Sequence, residues 1–161
     1  MNSNKATSEI CLGFVGLGAM GLPIATNLLE AGFPLQVHTR SRTTERCKQL
    51  KRAKVCTSPK EAAQGCDVFL ICVSDEEAVA SVLFGEYGAE SSLKPGTIVI
   101  DLSTISPRKA KLFAAKLAEK NITYLDAPVT GGTEGAIAGT LTIFLGGNNK
   151  SLKRISTILN S

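Results

Sequence analysis

No stretch of this 161-residue chain approaches the ~20 consecutive apolar residues that cross a bilayer, so no segment reads as a membrane-spanning helix. The first nine residues carry neither the basic start nor the apolar core of a secretory signal, and residues 1–9 read as a loose leader. Histidine is nearly missing: His38 is the single one. None of the five cysteines (Cys11, Cys47, Cys56, Cys66, Cys72) forms a CxxC pair, so no zinc site can be assembled. The odd cysteine count fits a reducing, cytoplasmic setting, and Cys11 and Cys72 fall in predicted core strands, where a free thiol acts as a small apolar residue. Acid is scarce between residues 40 and 54, where seven cations face Glu45 alone in a chain of net charge +4. That run reads as a solvated helix face. Nucleic-acid binding through it lacks support, since no aromatic residue interleaves the cations to stack on bases. Internal repeats and low-complexity segments are also missing.

What is present describes an ordinary globular chain: 43% hydrophobic and 20% charged. One domain is expected at this length, burying about two thirds of the unfolded surface. Predicted strands and helices alternate, which indicates an α/β fold with a doubly wound, mostly parallel sheet in three layers.

The densest signal is Gly16-Leu17-Gly18-Ala19-Met20-Gly21, between a buried strand at residues 10–15 and a helix at residues 23–31. A strand, a glycine turn and a helix make half of a dinucleotide-binding βαβ unit. Gly16 allows the turn, Gly18 lets the main chain approach a diphosphate, and Gly21 permits close packing of strand on helix. The diphosphate would lie on N–H groups at the positive end of the helix dipole.

Further along, residues 35–38 read as the second strand and residues 44–52 as a basic helix. Ser58-Pro59-Lys60-Glu61 and Ser74-Asp75-Glu76-Glu77 read as capping boxes, flanking a continuous apolar strand at residues 68–73. A strand at 97–100 precedes a helix opened by Ser106-Pro107, with Ala110, Phe113, Ala114, Leu117 and Ala118 on its apolar face. Tyr124-Leu125 supplies a short strand. The alternating residues 140–145 predict an antiparallel strand near the sheet edge, and 149–161 open another helix.

The end of the second strand discriminates between nicotinamide cofactors: an acid there bonds the ribose 2′-hydroxyl of NAD, whereas a 2′-phosphate requires arginine. The chain has Thr39-Arg40-Ser41-Arg42 and no acid. Arg40 can grip a phosphate through two charge-assisted hydrogen bonds, with Ser41 and Arg42 adding to them. NADP is therefore the expected cofactor, with NAD left open. His38, at the adenosine end, reads as structural.

Three segments in order resemble the β-hydroxyacid dehydrogenase family, which includes 3-hydroxyisobutyrate dehydrogenase, tartronate semialdehyde reductase and glyoxylate/succinic semialdehyde reductases. They are the glycine turn from Gly13 through Pro23 and on to Asn27-Leu28-Leu29; Asp101-Leu102-Ser103-Thr104-Ile105-Ser106-Pro107; and Asp126-Ala127-Pro128-Val129-Thr130-Gly131-Gly132, followed by Gly135-Ala136, Gly139-Thr140-Leu141 and Gly146-Gly147. The resemblance implies a Rossmann-type cofactor domain over residues 10–148, with residues 149–161 starting a helix toward an all-helical domain that these residues do not include. It implies hydride transfer between a small 3-hydroxy acid and its semialdehyde, with Thr104 beside the nicotinamide and Ser103, Thr130, Gly131 and Gly132 binding the substrate. A Thr-Gly-Gly loop, with successive N–H groups and a hydroxyl, suits an anion. Thr39 stands where the family usually has asparagine, Thr130 replaces serine, and Cys72-Val73-Ser74 occupies a strand end that is often Leu-Pro and faces the nicotinamide ribose. Val73 and Ser74 are cofactor-binding candidates on that basis.

Reduction of an aldehyde also needs a proton for the developing alkoxide. The family takes it from a lysine in the helical domain, and no lysine here matches that motif. Nor can a Tyr-x-x-x-Lys pair supply it: Tyr87 is followed four residues on by Ser91, and Tyr124 by Pro128. The chain is expected to bind the reductant without completing the reaction. A non-catalytic module that binds NADP or a protein partner is the alternative. An imine reductase shares the cofactor fold, but residues 126–132 argue against it. Exposed apolar surface meant for a second domain would favour a homo-oligomer.

Overall fold

Short apolar runs separated by glycine turns and capped helices can bury both faces only in a sheet covered on each side, and that is the arrangement found. The computed structural model describes residues 6–40, 45–146 and 149–161. In chain order it contains β1 (Leu12–Val15), α1 (Gly21–Glu30), β2 (Leu35–His38), α2 (Glu45–Gln49), β3 (Lys54–Val55), α3 (Pro59–Ala62), β4 (Val68–Ile71) and α4 (Glu76–Phe84). Then follow β5 (Ile98–Asp101), α5 (Pro107–Ala118), β6 (Thr123–Asp126), β7 (Val129–Thr130), α6 (Gly132–Ala138), β8 (Thr142–Ile143) and α7 (Asn149–Leu159).

Six strands form a sheet in the order β3-β2-β1-β4-β5-β6, every pair parallel. All residues of β1, β4 and β5 are buried, as central strands covered on both faces require. One core gathers Leu12, Phe14, Leu28, Leu70, Ile100 and Ile155; the other gathers Phe69, Ile71, Val79, Leu83, Phe113 and Tyr124. The order reverses between β1 and β4, which opens a crevice beyond the carboxyl ends of the strands.

Several expectations change at the boundaries. The predicted basic helix is shorter, Glu45–Gln49, and the exposed pair Lys54–Val55 forms an edge strand that no apolar pattern announces. The strand expected within 140–145 is β8, which pairs antiparallel with β7 in a separate two-stranded ribbon; an Asp126–Gly146 bridge links it to the main sheet, and Val129 and Ile143 pack against the core. Cys11 and Cys72 lie just outside their strands and are half-buried, while Cys56 and Cys66 are the buried thiols. Ala118 is exposed, because α5 turns it away from the face that buries Ala110, Phe113 and Leu117.

The caps shift too. Ser58 accepts from the Glu61 N–H as expected, but the Glu61 carboxylate bonds the N–H and hydroxyl of Thr57 rather than closing a box on Ser58. The cap of α4 is Asp75, accepting from the Ala78 N–H at 2.8 Å, and Ser74 donates its hydroxyl to that carboxylate. No helix among the described residues is long and apolar enough to cross a membrane.

Candidate functional site

The crevice at the reversal is a cleft of about 980 Å³, and five strand-end segments and one helix face build it. The glycine turn, residues 16–21, forms its floor. Gly16 has φ +103°, and a Cβ there would lie 2.1 Å from the Cys72 carbonyl oxygen. A Cβ on Gly21 would lie 1.8 Å from the Gly16 carbonyl oxygen. Both glycines are therefore demanded by the packing of the protein against itself. Gly18 differs: no atom lies within 4 Å of where its Cβ would be. The main chain is bare toward the cleft at that point, at the start of α1, where N–H groups and the helix dipole favour an anion.

The second wall comes from β2. Thr39 and Arg40 line the cleft, with Arg40 exposed. Ser41 and Arg42, expected to assist them, lie outside the described residues. His38, read as structural, has Nδ1 3.1 Å from the Cys56 carbonyl oxygen and also lines the cleft. The Ser74 hydroxyl and the Ala78 N–H hold the Asp75 carboxyl below the usual carboxylate range, and the charge of Arg40 adds to that lowering.

Opposite stand the segments that follow β4 and β5. Cys72, Val73 and Ser74 face Leu102, Ser103 and Thr104. Ser103 is 3% exposed and Thr104 is open to solvent. Burial, then the charge of Asp101, pushes the Cys72 thiol up to about 11, so at neutral pH it is a thiol and not a nucleophilic thiolate. Thr130, Gly131 and Gly132 close the remaining side between β7 and α6, all three exposed. Gly131 and Gly132 have φ +130° and +64°, and the space beside the Gly132 Cα is open.

The structure thus gathers around one cleft every site candidate that falls among its described residues. The sequence reading overlooked the face of α4. Ala78, Ser81 and Val82, with Gly85, Glu86 and Tyr87 after them and Pro59 across from them, extend the cleft along that helix. Their spacing of three to four residues, directly after Val73-Ser74, was the available signal. No lysine lines the cleft among the described residues.

Two carboxylates sit at the strand ends. Asp101 is fully buried, and burial pushes its carboxyl up while hydrogen bonds from Tyr124 and Ser103 pull it back. Burial also raises Asp126, whose Oδ1 finds no hydrogen-bond partner among the described residues.

Comparison with known proteins agrees with this geometry. Residues 11–161 match the family described as the NAD binding domain of 6-phosphogluconate dehydrogenase. The chain is 40% identical over 147 residues to 2-hydroxy-3-oxopropionate reductase of Escherichia coli, covering 91% of this chain and 50% of that protein. It is 38% identical to the NAD-dependent L-serine dehydrogenase of Pseudomonas aeruginosa, covering 89% and 48% respectively. Among solved structures, Mycobacterium tuberculosis 3-hydroxyisobutyrate dehydrogenase with L-serine superposes with a TM-score of 0.87 at 31% identity, covering 94% of this chain and 51% of the other. A protein solved in complex with NADP+ and 2-OPP superposes with a TM-score of 0.86 at 35% identity, covering 92% and 53%. The chain spans about half the length of the curated relatives it matches.

Proposed function

Since the chain belongs to the family of the NAD binding domain of 6-phosphogluconate dehydrogenase, we propose that it forms the cofactor-binding part of an NADP-preferring hydroxyacid dehydrogenase. The reaction would interconvert a small 3-hydroxy acid and its semialdehyde. The observation that carries the reading is the open Cβ position of Gly18 above the start of α1, in a turn whose other two glycines are required by packing alone. A cofactor diphosphate fits that cradle, and Arg40 stands at the end of β2 where a 2′-phosphate would lie.

The bound nicotinamide supplies or accepts the hydride. The chain's own residues bind and orient. The N–H groups opening α1 hold the diphosphate, and Arg40 bonds the 2′-phosphate, with Ser41 and Arg42 beside it in sequence. Val73, Ser74 and Thr104 border the nicotinamide ribose. Thr130, Gly131 and Gly132 orient the substrate carboxylate, and buried Ser103, whose hydroxyl accepts from the Val73 N–H, supports the wall beside the nicotinamide. The alkoxide proton comes from a group outside the described residues, so these residues bind and orient without completing turnover. A cytoplasmic, reducing location goes with this reading.

Titration with NADPH and NADH, followed by nicotinamide fluorescence, tests it. NADPH should bind more tightly than NADH, and Arg40→Ala should weaken NADPH by about 10- to 100-fold while sparing NADH, since a lost bond to a charged phosphate carries that magnitude. Equal losses for the two nucleotides would remove the NADP preference; no binding of either would remove the cofactor reading itself.

A further inference from the structure

Beneath the cleft wall lies a chain of polar groups whose inner members, Asp101 and Tyr124, the proposed function does not use. Asp101 ends β5 with its side chain fully buried, in register with Ile71 of β4 and Asp126 of β6. No cation pairs with it among the described residues. A buried carboxylate without a counter-ion is costly, so each of its bonds matters. Tyr124, 7% exposed, donates its hydroxyl to Oδ2 at 2.6 Å. The Ser103 main-chain N–H donates to Oδ1 at 3.0 Å. Ser103 Oγ in turn accepts from the Val73 N–H at 3.0 Å.

The chain therefore runs from β6, under the end of β5, into the segment after β4. Its working ends are main-chain groups, Ser103 N–H and Val73 N–H, and these belong to two neighbouring loops that line the cleft side by side. Tyr124 is itself fixed from the far side, its ring edge-on to Phe113 at 6.3 Å between centroids. Apolar side chains could fill this interior without burying a charge. A polar chain here does what they could not: it locks two loops at a set spacing.

We propose that Asp101 and Tyr124 are positioning residues that, through Ser103 and Val73, hold the loops at 72–74 and 102–104 in register and so shape the nicotinamide end of the cleft. The adenosine-diphosphate end is built by residues 16–21 and Arg40, which lie outside this chain of bonds. The inference rests on the cofactor reading above, and its test separates the two.

The test uses ligand halves. NADH and ADP-ribose share the adenosine diphosphate and ribose and differ in the nicotinamide; NADPH and 2′-phospho-ADP-ribose form the corresponding pair. Affinities for all four, by calorimetry, are compared for the wild type, Ser103→Ala, Tyr124→Phe and Asp101→Asn. Loss of one buried hydrogen bond should weaken each dinucleotide by about three- to tenfold and leave each nicotinamide-free half within about twofold. Equal weakening of whole and half ligands would show a merely structural role and overturn the inference, as would unchanged affinities throughout. A wild type that binds NADH no more tightly than ADP-ribose overturns it as well, with the cofactor reading intact. A wild type that binds none of the four defeats the cofactor reading first. If Asp101→Asn does not fold, Ser103→Ala and Tyr124→Phe decide the matter, since each removes one hydroxyl and keeps the packing.

Discussion

The three glycines of the floor turn look alike in sequence and act differently in space. Gly21 has the Gly16 carbonyl oxygen 1.8 Å from its virtual Cβ, and that oxygen belongs to the main chain and cannot step aside. Gly21→Ala should therefore cost about 3 kcal/mol or more, the range of severe overpacking, and lower the melting temperature. Gly18→Ala places its methyl in open space, so the fold should keep its stability within about 1 kcal/mol. Its cofactor affinity should fall by at least about tenfold, because the methyl occupies the approach of the diphosphate. Nicotinamide fluorescence beside a melting curve reads both effects. If Gly18→Ala bound NADPH as the wild type does, the middle glycine would have no ligand-facing role. The spacing of the glycines is legible in a sequence; which of them serves the fold is not, because Cys72 and Phe14 reach the turn through tertiary structure. Ser103 makes the same point. Its residue type reads as a ligand contact, but the Val73 N–H, brought beside it by pairing of β4 with β5, donates to its hydroxyl, and Asp101 holds its main-chain N–H.

At the scale of elements, what a single residue's chemistry settles was legible. Proline at the first helical position opens α3 and α5, each behind a serine that caps it. The start of α4 was one residue off, because Ser74 and Asp75 are both competent caps and the shorter path from the Asp75 carboxylate to the Ala78 N–H wins. That cap matters for the site, since α4 carries Ala78, Ser81 and Val82 along the cleft. Asp75→Ala should lower the urea midpoint, while Asp75→Asn, which still accepts from Ala78, should keep it near the wild-type value; an equal drop in both variants would show that the cap is not what holds this end. Elements held by pairing alone were not legible. β3 is two exposed residues, kept as a strand by Gln36 and Val37 opposite them. β7 is two residues, one half-buried and one exposed, without a period, and although the alternation of residues 140–145 announces an antiparallel β8, it does not announce β7 as the partner.

Across the whole molecule, the strand order follows from rules that apply to any chain of alternating strands and helices: short connections, right-handed crossovers, and a reversal that leaves a crevice. That level was legible because apolar β1, β4 and β5 admit no place but the centre. The burial of individual thiols was not, and it has a consequence for stability. Burial raises Cys66 from 9.0 to about 12 and Cys72 from 9.0 to about 11, with the charges of neighbouring groups adding to both. In the unfolded chain each thiol loses its proton near pH 9, whereas in the folded protein each keeps it. Between those values the native state binds more protons than the unfolded state, so stability falls as pH rises. The contribution is fully present below pH 9.0 and disappears as pH passes about 11 for Cys72 and about 12 for Cys66. For Cys72 alone the change is on the order of 2–3 kcal/mol. Tyr124, raised by burial and by Asp101, acts in the same direction above its ordinary range. Urea midpoints measured from pH 8 upward should therefore decline steadily past pH 9 in the wild type and decline less in the Cys66→Ala, Cys72→Ala double variant. An identical decline in both proteins would mean that the buried thiols are not what makes the folded state sensitive to alkali.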